Sequence, residues 1–153
     1  ATWAPNTITY SGNNRTHMIR VPGPGRFELR LMDGATNPYL LQAGILAAGI
    51  DGIENKRSPG KPINVNMYED GHKVKGAKKL PLTLEKALSH LDKSKVLKSA
   101  FSKETINSYI KLKNKEIKKY KSSNVKKIGF KGSKQNSKNN VITQWEKDNT
   151  LDC

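Results

Sequence analysis

Four of the five arginines in this 153-residue chain lie between positions 15 and 30, with one carboxylate among them. Arginine offers a planar fork of N–H donors that suits phosphate and carboxylate groups. Side chains alternate between the two faces of a strand, so the run RFELRLM at 26–32 places Arg26, Glu28 and Arg30 on one face. Two interpretations stay open. One is a structural ladder of ion pairs on an exposed antiparallel sheet. The other is a polyphosphate site, in which Glu28 holds a divalent cation and the arginines neutralise the transferred phosphate.

Short strands must position these side chains. The β-prone runs at 7–10 and 18–21 flank a polar loop at 11–14, and the alternating run continues to Met32. The Pro-Gly-Pro-Gly cluster at 22–25 predicts a turn that should not lie inside a strand. The sequence therefore predicts a small, mainly antiparallel sheet in the first third of the chain.

A helix should follow the strands. Asn37 can cap its N-terminus, and Pro38 suits the first helical position. The run 39–48 is apolar nearly all round, which predicts a buried helix packed beneath the sheet and ended by Gly49 and Gly52. Further on, apolar residues at helical spacing predict helices capped by Asp92 and by Ser102.

Length and composition suit a single α+β domain. We expect five successive parts. Active-site strands and the buried helix occupy residues 1–53, and an extended arm occupies 54–81. Helices follow over 82–121, then a flexible lysine-rich loop over 122–140 and a docking tail over 141–153. No apolar run is long enough to predict a membrane helix, and the one cysteine, Cys153, excludes a disulfide framework. A cytoplasmic protein without membrane partners is the simplest expectation.

The formal net charge of +15 comes mainly from lysines in residues 61–140. Such an excess permits binding to nucleic acid. However, aromatic residues are sparse in the lysine-rich stretch at 111–138, which has no arginine. We therefore expect no specific binding to nucleic acid. A basic nucleic-acid-associated protein without enzymatic activity remains the alternative from a different functional class.

Residues 13–22 (NNRTHMIRVP) and 25–53 (GRFELRLMDGATNPYLLQAGILAAGIDGI) resemble the C-terminal part of the catalytic domain of glutamine synthetase. That family has an NR-x4-RIP stretch, an R-x-E-x-R strand, an ANPYL helix start and an AGLDGI end. Weaker similarity continues through 54–70, 80–91 and 108–116, and residues 142–153 resemble the end of type III members. The resemblance implies an α+β fold of the glutamine synthetase/guanido kinase type, with antiparallel strands followed by a helical C-terminal region.

The resemblance also implies a role for each charged residue. The ATP phosphates of the family are bound by arginines that correspond to Arg15, Arg20 and Arg26. Arg15 is also implied to be catalytic. Glu28 corresponds to a ligand of a catalytic Mg²⁺ or Mn²⁺, and Arg30 to the arginine that grips the glutamate carboxylate. The implied enzyme is an ATP-dependent glutamate–ammonia ligase that works through a γ-glutamyl phosphate and assembles as stacked rings of identical subunits.

Three departures from the family pattern matter. Trp3 replaces a glutamate found near the ammonium site in many bacterial members, so methylamine is the alternative acceptor, as in γ-glutamylmethylamide synthetases. Gly23 replaces a lysine near the phosphates. Tyr68 corresponds to a tyrosine that some bacterial members adenylylate, although type III members are not generally regulated in this way. The family's other metal ligands lie upstream of the region that this chain resembles, so we expect a fragment that is inactive by itself.

Overall fold

The computed structural model describes residues 4–123, Trp145 and Asp148, and within them it separates two compact units. The first comprises residues 4–33 and 49–87, and the second comprises 34–48, 88–123 and the two isolated residues. The elements in chain order are β1 (Tyr10–Ser11), β2 (Ile19–Gly23), β3 (Arg26–Leu29), α1 (Pro38–Glu54), a 3₁₀ turn (Gly71–Lys73), α2 (Leu84–Lys93), α3 (Lys95–Phe101) and α4 (Lys103–Ser122).

The strands form a three-stranded sheet in the order β1-β2-β3. β2 and β3 are antiparallel, as predicted, whereas β1 runs parallel to β2, so the sheet is mixed. Parallel pairing requires the connection between the two strands to return to the end where β1 began, and residues 12–18 make this return. The carbonyl of Gly12 accepts hydrogen bonds from the N–H groups of both Asn14, at 2.7 Å, and Val21, at 3.1 Å.

The β2–β3 hairpin differs in two details from the sequence expectation. Pro22 and Gly23 lie inside β2 rather than in the turn. The ladder is irregular between Arg20 and Gly23, which accommodates a proline that has no N–H to donate. Gly25 makes the turn with a φ of +70°, a conformation that glycine adopts without steric penalty. β3 ends at Leu29, three residues before the predicted end.

Helix α1 begins as predicted, because the side chain of Asn37 accepts a hydrogen bond from the N–H of Leu40. It ends at Glu54, beyond the glycines that were expected to stop it. The prediction of a buried helix is wrong for the described part of the chain. No α1 residue is buried there, and Tyr39 is 81% exposed. The apolar side chains of α1 need other residues to cover them. The described elements do not provide such residues.

In the second unit, α3 packs against α4, and Leu88 and Ile106 are buried. Ser102 caps α4 as predicted, by accepting a hydrogen bond from the N–H of Thr105. The predicted cap at Asp92 is wrong. This residue lies inside α2, and the side chain of Ser94 caps α3 instead.

Most of the lysine-rich loop and most of the tail lie outside the described residues. In the tail, the Trp145 ring meets the Tyr120 ring edge-on, with 5.3 Å between centroids. Among the described residues, no helix has the length and hydropathy needed to cross a membrane.

His17 belongs to the first unit and is fully buried. Its Nε2 donates to the carbonyl of Val65 at 3.1 Å, because a carbonyl oxygen can only accept. Its Nδ1 lies 3.0 Å from the hydroxyl of Thr9, which donates to the bare nitrogen of the neutral ring. Burial lowers the pKa of His17 from its usual 6.5, although the Val65 hydrogen bond acts in the opposite direction.

This lowered pKa predicts a loss of stability in acid. The unfolded chain takes up a proton at His17 near pH 6.5 and the folded chain only at lower pH, so the unfolding free energy falls as the pH drops below 6.5. We expect His17→Gln, which keeps a donor for Val65, to remove this part of the decline between pH 8 and pH 5. Chemical denaturation at both pH values measures it.

The exposed His90 provides the matched control. We expect His90→Gln, which changes an exposed side chain, to retain the acid loss that His17 causes, because the buried ring of His17 is intact. An equal acid loss in the parent chain and in His17→Gln would contradict the role of His17.

Candidate functional site

Two arginines share one carboxylate across strands β2 and β3. Arg20 and Glu28 are opposite partners in the ladder, and Arg20 Nη1 donates to Glu28 Oε2 at 2.6 Å. Arg30, two residues along on the same face, donates from Nε to Glu28 Oε1 at 3.0 Å. The two arginine side chains are only 13% and 16% exposed, whereas the glutamate side chain is 43% exposed. The three groups form a partly covered ionic cluster that remains open at the carboxylate.

These contacts change the acidity of the carboxyl group. The hydrogen bond from Arg20 is the largest cause and lowers the pKa of Glu28. Partial burial opposes the change, and the charges of Arg20 and Arg30 and the hydrogen bond from Arg30 add to it. Glu28 is therefore an anion at neutral pH, as both an ion-pair partner and a cation ligand must be.

A polar groove of about 580 Å³ opens beside this cluster, in the same unit of the chain. Arg20 connects the two, because it pairs with Glu28 and also lines the groove. The other lining residues supply one further guanidinium and three amides: Arg15, Asn13, Asn14 and Asn64. A groove lined by cationic and neutral donors suits a multiply charged anion.

Residues far along the chain complete this groove. The carbonyl of Val65 accepts from Asn14 Nδ2 at 2.9 Å and from His17 Nε2 at 3.1 Å. Two residues further on, the N–H of Met67 donates to the hydroxyl of Thr16 at 2.9 Å. These three hydrogen bonds hold residues 65–67 against the loop before β2, and they place Asn64 at the groove wall.

The structure brings four of the five predicted site residues into two adjoining sets. Arg15 and Arg20 line the groove, and Arg20, Glu28 and Arg30 form the cluster. Arg26 lies on β3 opposite Gly23, but it is exposed and does not line the groove.

Sequence analysis missed three groove residues. Asn13 and Asn14 directly precede Arg15 in the motif, and their polarity was a usable signal. Asn64 carried no signal, because more than 40 residues separate it from the other lining residues.

Outside these sets, two residues with expected roles remain. Tyr68 is 40% exposed in the turn that follows residues 65–67, and the expectation that it is not adenylylated stays a prediction. Trp3 lies outside the described residues, so its role at an amine site also stays a prediction.

The donor set fits a hard divalent cation in one respect. Mg²⁺ is usually held by one or two carboxylates together with substrate phosphates, and Glu28 presents a half-exposed carboxylate close to the groove. Within residues 4–123 and the two tail residues, no cluster of three histidine, cysteine or carboxylate side chains could hold a metal without further ligands. Among the described residues, Glu28 would thus be a single ligand, and a cation would have to compete with Arg20 and Arg30.

Comparison with known proteins identifies relatives over the whole chain. The family model "Glutamine synthetase, catalytic domain" matches residues 1–131. A glutamine synthetase of Rhizobium leguminosarum bv. phaseoli is 51% identical over 152 residues, which are 99% of this chain and 31% of the relative. A glutamate–methylamine ligase of Methyloversatilis universalis is 46% identical over 123 residues, which are 78% of this chain and 27% of the relative.

Solved structures agree. A structure described as a GmaS/ADP complex matches with a TM-score of 0.75 and 45% identity, over 99% of this chain and 30% of that one. A ligand-free GmaS structure matches with a TM-score of 0.74 and 45% identity, over 98% of this chain and 31% of that one. The chain spans about a third of the length of the proteins that it matches.

The ion-pair geometry predicts how the acidity of Glu28 responds to substitution. We expect Arg20→Ala to raise the pKa of Glu28, because it removes the hydrogen bond that contributes most to the lowering. Carbon-13 NMR titration of the side-chain carboxyl groups measures this change.

Arg57→Ala is the matched control, since Arg57 has the same relation to a different carboxylate, that of Asp51. We expect it to raise the pKa of Asp51 and to leave that of Glu28 unchanged. A Glu28 pKa that is the same in Arg20→Ala as in the parent chain would show that the pair does not form in solution.

Proposed function

Because the chain belongs to the glutamine synthetase family, as the C-terminal part of its catalytic domain, we propose that it contributes the phosphate and glutamate sites of an ATP-dependent glutamate–ammonia ligase. The observation that carries the proposal is the cluster of Arg20, Glu28 and Arg30 beside a groove that Arg15 also lines. A ladder of surface ion pairs alone would not require a cationic groove next to it.

In the proposed reaction, a side-chain carboxylate oxygen of glutamate attacks the terminal phosphorus of ATP, and ADP leaves with the electrons of the broken P–O bond. Ammonia then attacks the acyl carbon, phosphate leaves with the electrons of the broken C–O bond, and the nitrogen gives up one proton, which the departing phosphate can take. Arg15 and Arg20 bind and neutralise the phosphate oxygens, and Arg26 approaches the nucleotide from the exposed end of β3. A Mg²⁺ or Mn²⁺ ion at Glu28 supplies further neutralisation of the phosphate charge when it is bound.

Arg30 has the properties expected of a glutamate-binding residue. Its Nη1 is buried and has no hydrogen-bond partner in the described part of the chain. A buried donor left unpaired destabilises a protein by about 1–3 kcal/mol, but an atom that water cannot reach becomes available to a ligand only when the neighbouring side chains move. A carboxylate accepts two N–H groups of a guanidinium side by side, which suits the amino-acid substrate.

The complete enzyme requires more chain than the described residues supply. In the part that the structure describes, only three apolar residues are buried, Met67, Leu88 and Ile106, whereas Phe27 and Leu46 are 61% and 65% exposed. These exposed apolar surfaces need a cover, and the relatives are about three times as long as this chain. The stacked rings of subunits stay a prediction from the resemblance, and the cytoplasmic location stays a prediction from the sequence.

Methylamine is the alternative acceptor. The similarity to a glutamate–methylamine ligase favours it, and ammonia is favoured by the similarity to glutamine synthetases. Both reactions use the same phosphate and glutamate groups, so the proposed roles of Arg15, Arg20 and Arg30 are the same under either.

The phosphate groove predicts binding of tripolyphosphate, a probe that carries the charges of the ATP tail. We expect saturable binding that Arg15→Ala and Arg20→Ala each weaken by roughly threefold to tenfold, because each removes charge-assisted hydrogen bonds. Isothermal titration calorimetry at fixed ionic strength measures the dissociation constants.

Lys73→Ala removes the same charge outside the groove, where Lys73 pairs with Asp70, and serves as the control. We expect it to leave the affinity unchanged. Equal weakening by all three substitutions would mean that tripolyphosphate binds through net charge alone, and the proposed phosphate groove would be wrong.

The missing ligands predict that the isolated chain does not turn over. With ATP, Mg²⁺, glutamate and either ammonium or methylamine, we expect no phosphate release above a blank without protein. An assay for inorganic phosphate measures this, with a full-length glutamine synthetase as the positive control. Clear turnover by the isolated chain would refute the view that it holds only part of the active site.

A further inference from the structure

Arg20 is held by a second residue besides Glu28. Its Nε and Nη2 donate to the amide oxygen of Asn13 at 2.8 Å and 2.5 Å, and its Nη1 donates to Glu28. A guanidinium has five N–H donors, so these bonds leave two, one on each Nη. The guanidinium plane is thus fixed from two sides, while part of it stays available to the groove that Arg20 lines.

Asn13 is itself held in place by its neighbours. On one side, the carbonyl of Gly12 accepts from the N–H groups of Asn14 and Val21. On the other side, the side chain of Asn14 donates to Val65 and accepts from the N–H and hydroxyl of Thr16, at 3.0 Å and 2.7 Å. The backbone on both sides of Asn13 is therefore anchored, and its amide oxygen is in place before any ligand binds.

We propose that Asn13 is a positioning residue, whose amide oxygen orients the Arg20 guanidinium so that its remaining N–H groups reach a phosphate in the groove. The inference rests on the proposed phosphate role of Arg20 and extends it to a residue outside the charged set.

A neutral acceptor has an advantage in this position. Glu28 also orients Arg20, but its carboxylate is the group that a divalent cation would engage, and it is already shared with Arg30. Asn13 is uncharged, so a cation does not compete with Arg20 for it. It therefore keeps its hydrogen bonds to Arg20 when Glu28 binds a cation instead. It also brings no negative charge toward the bound anion, as an aspartate would.

The test compares the parent chain with Asn13→Ala and Asn13→Asp. NMR of the ¹⁵N-labelled chain follows hydrogen exchange at Arg20 Nε–H, and calorimetry follows tripolyphosphate binding. In Asn13→Ala we expect this exchange to be roughly tenfold faster and the dissociation constant to rise about threefold to tenfold. In Asn13→Asp, which keeps the acceptor oxygens, we expect slow exchange at Arg20 but weaker binding of the anion.

The Nε–H of Arg57, bonded to Asp51, is the internal control and should exchange at the same rate in all three proteins. If Arg20→Ala weakens binding but Asn13→Ala does not, the positioning role is overturned while the phosphate groove stands. The positioning role is also overturned if exchange at Arg20 accelerates without any loss of affinity, since Asn13 would then be only structural. If the parent chain does not bind tripolyphosphate, both the groove and the positioning role are overturned.

Discussion

The carboxylate of Glu28 connects the strands to the chemistry that they support. Its oxygens accept from Arg20 on β2 and from Arg30 beyond the end of β3, so the register of one hairpin fixes the relative position of three ionic groups. Arg20 extends this order into the groove through Asn13, and the Val65 carbonyl brings residues 64–67 to the opposite wall. A shift of one residue in the hairpin would send Glu28 to the other face of the sheet and separate the two sets.

The charged face of β3 could be predicted because it depends on a local rule, the alternation of side chains along a strand. The helix start at Asn37 and the cap at Ser102 were predicted for the same reason, since each depends on a few neighbouring residues. Asn64 could not be predicted, because its place in the groove depends on hydrogen bonds made to Val65 from residues about 50 positions earlier. The resemblance to glutamine synthetase supplied the roles of the arginines, which periodicity alone left open between an ion-pair ladder and a phosphate site.

The buried helix failed as a prediction for an instructive reason. The apolar composition of α1 indicates that the helix should be buried, but burial also requires a surface against which the helix can pack. In the described residues that surface is missing, so Tyr39 and Ile53 stay 81% and 79% exposed. The same holds for β3, where Phe27 is far more exposed than Arg20 and Arg30, the arginines that pair with Glu28. Both observations agree with a chain that spans about a third of the length of its relatives. Arg20 and Arg30 are already held by their ion pairs, whereas these apolar residues are not yet covered.

The acceptor that joins the two halves of the groove is a main-chain atom. Any amino acid at position 65 presents the same carbonyl oxygen, so mutational drift at that codon leaves the joint intact as long as the backbone keeps its path. The other segment has no such freedom, because it makes its contacts through the side chains of Asn14 and His17, and through the Thr16 hydroxyl that accepts from the N–H of Met67. Tolerance to substitution should therefore be strongly asymmetric between the two segments, permissive in the one that contributes main-chain atoms and strict in the one that contributes side chains.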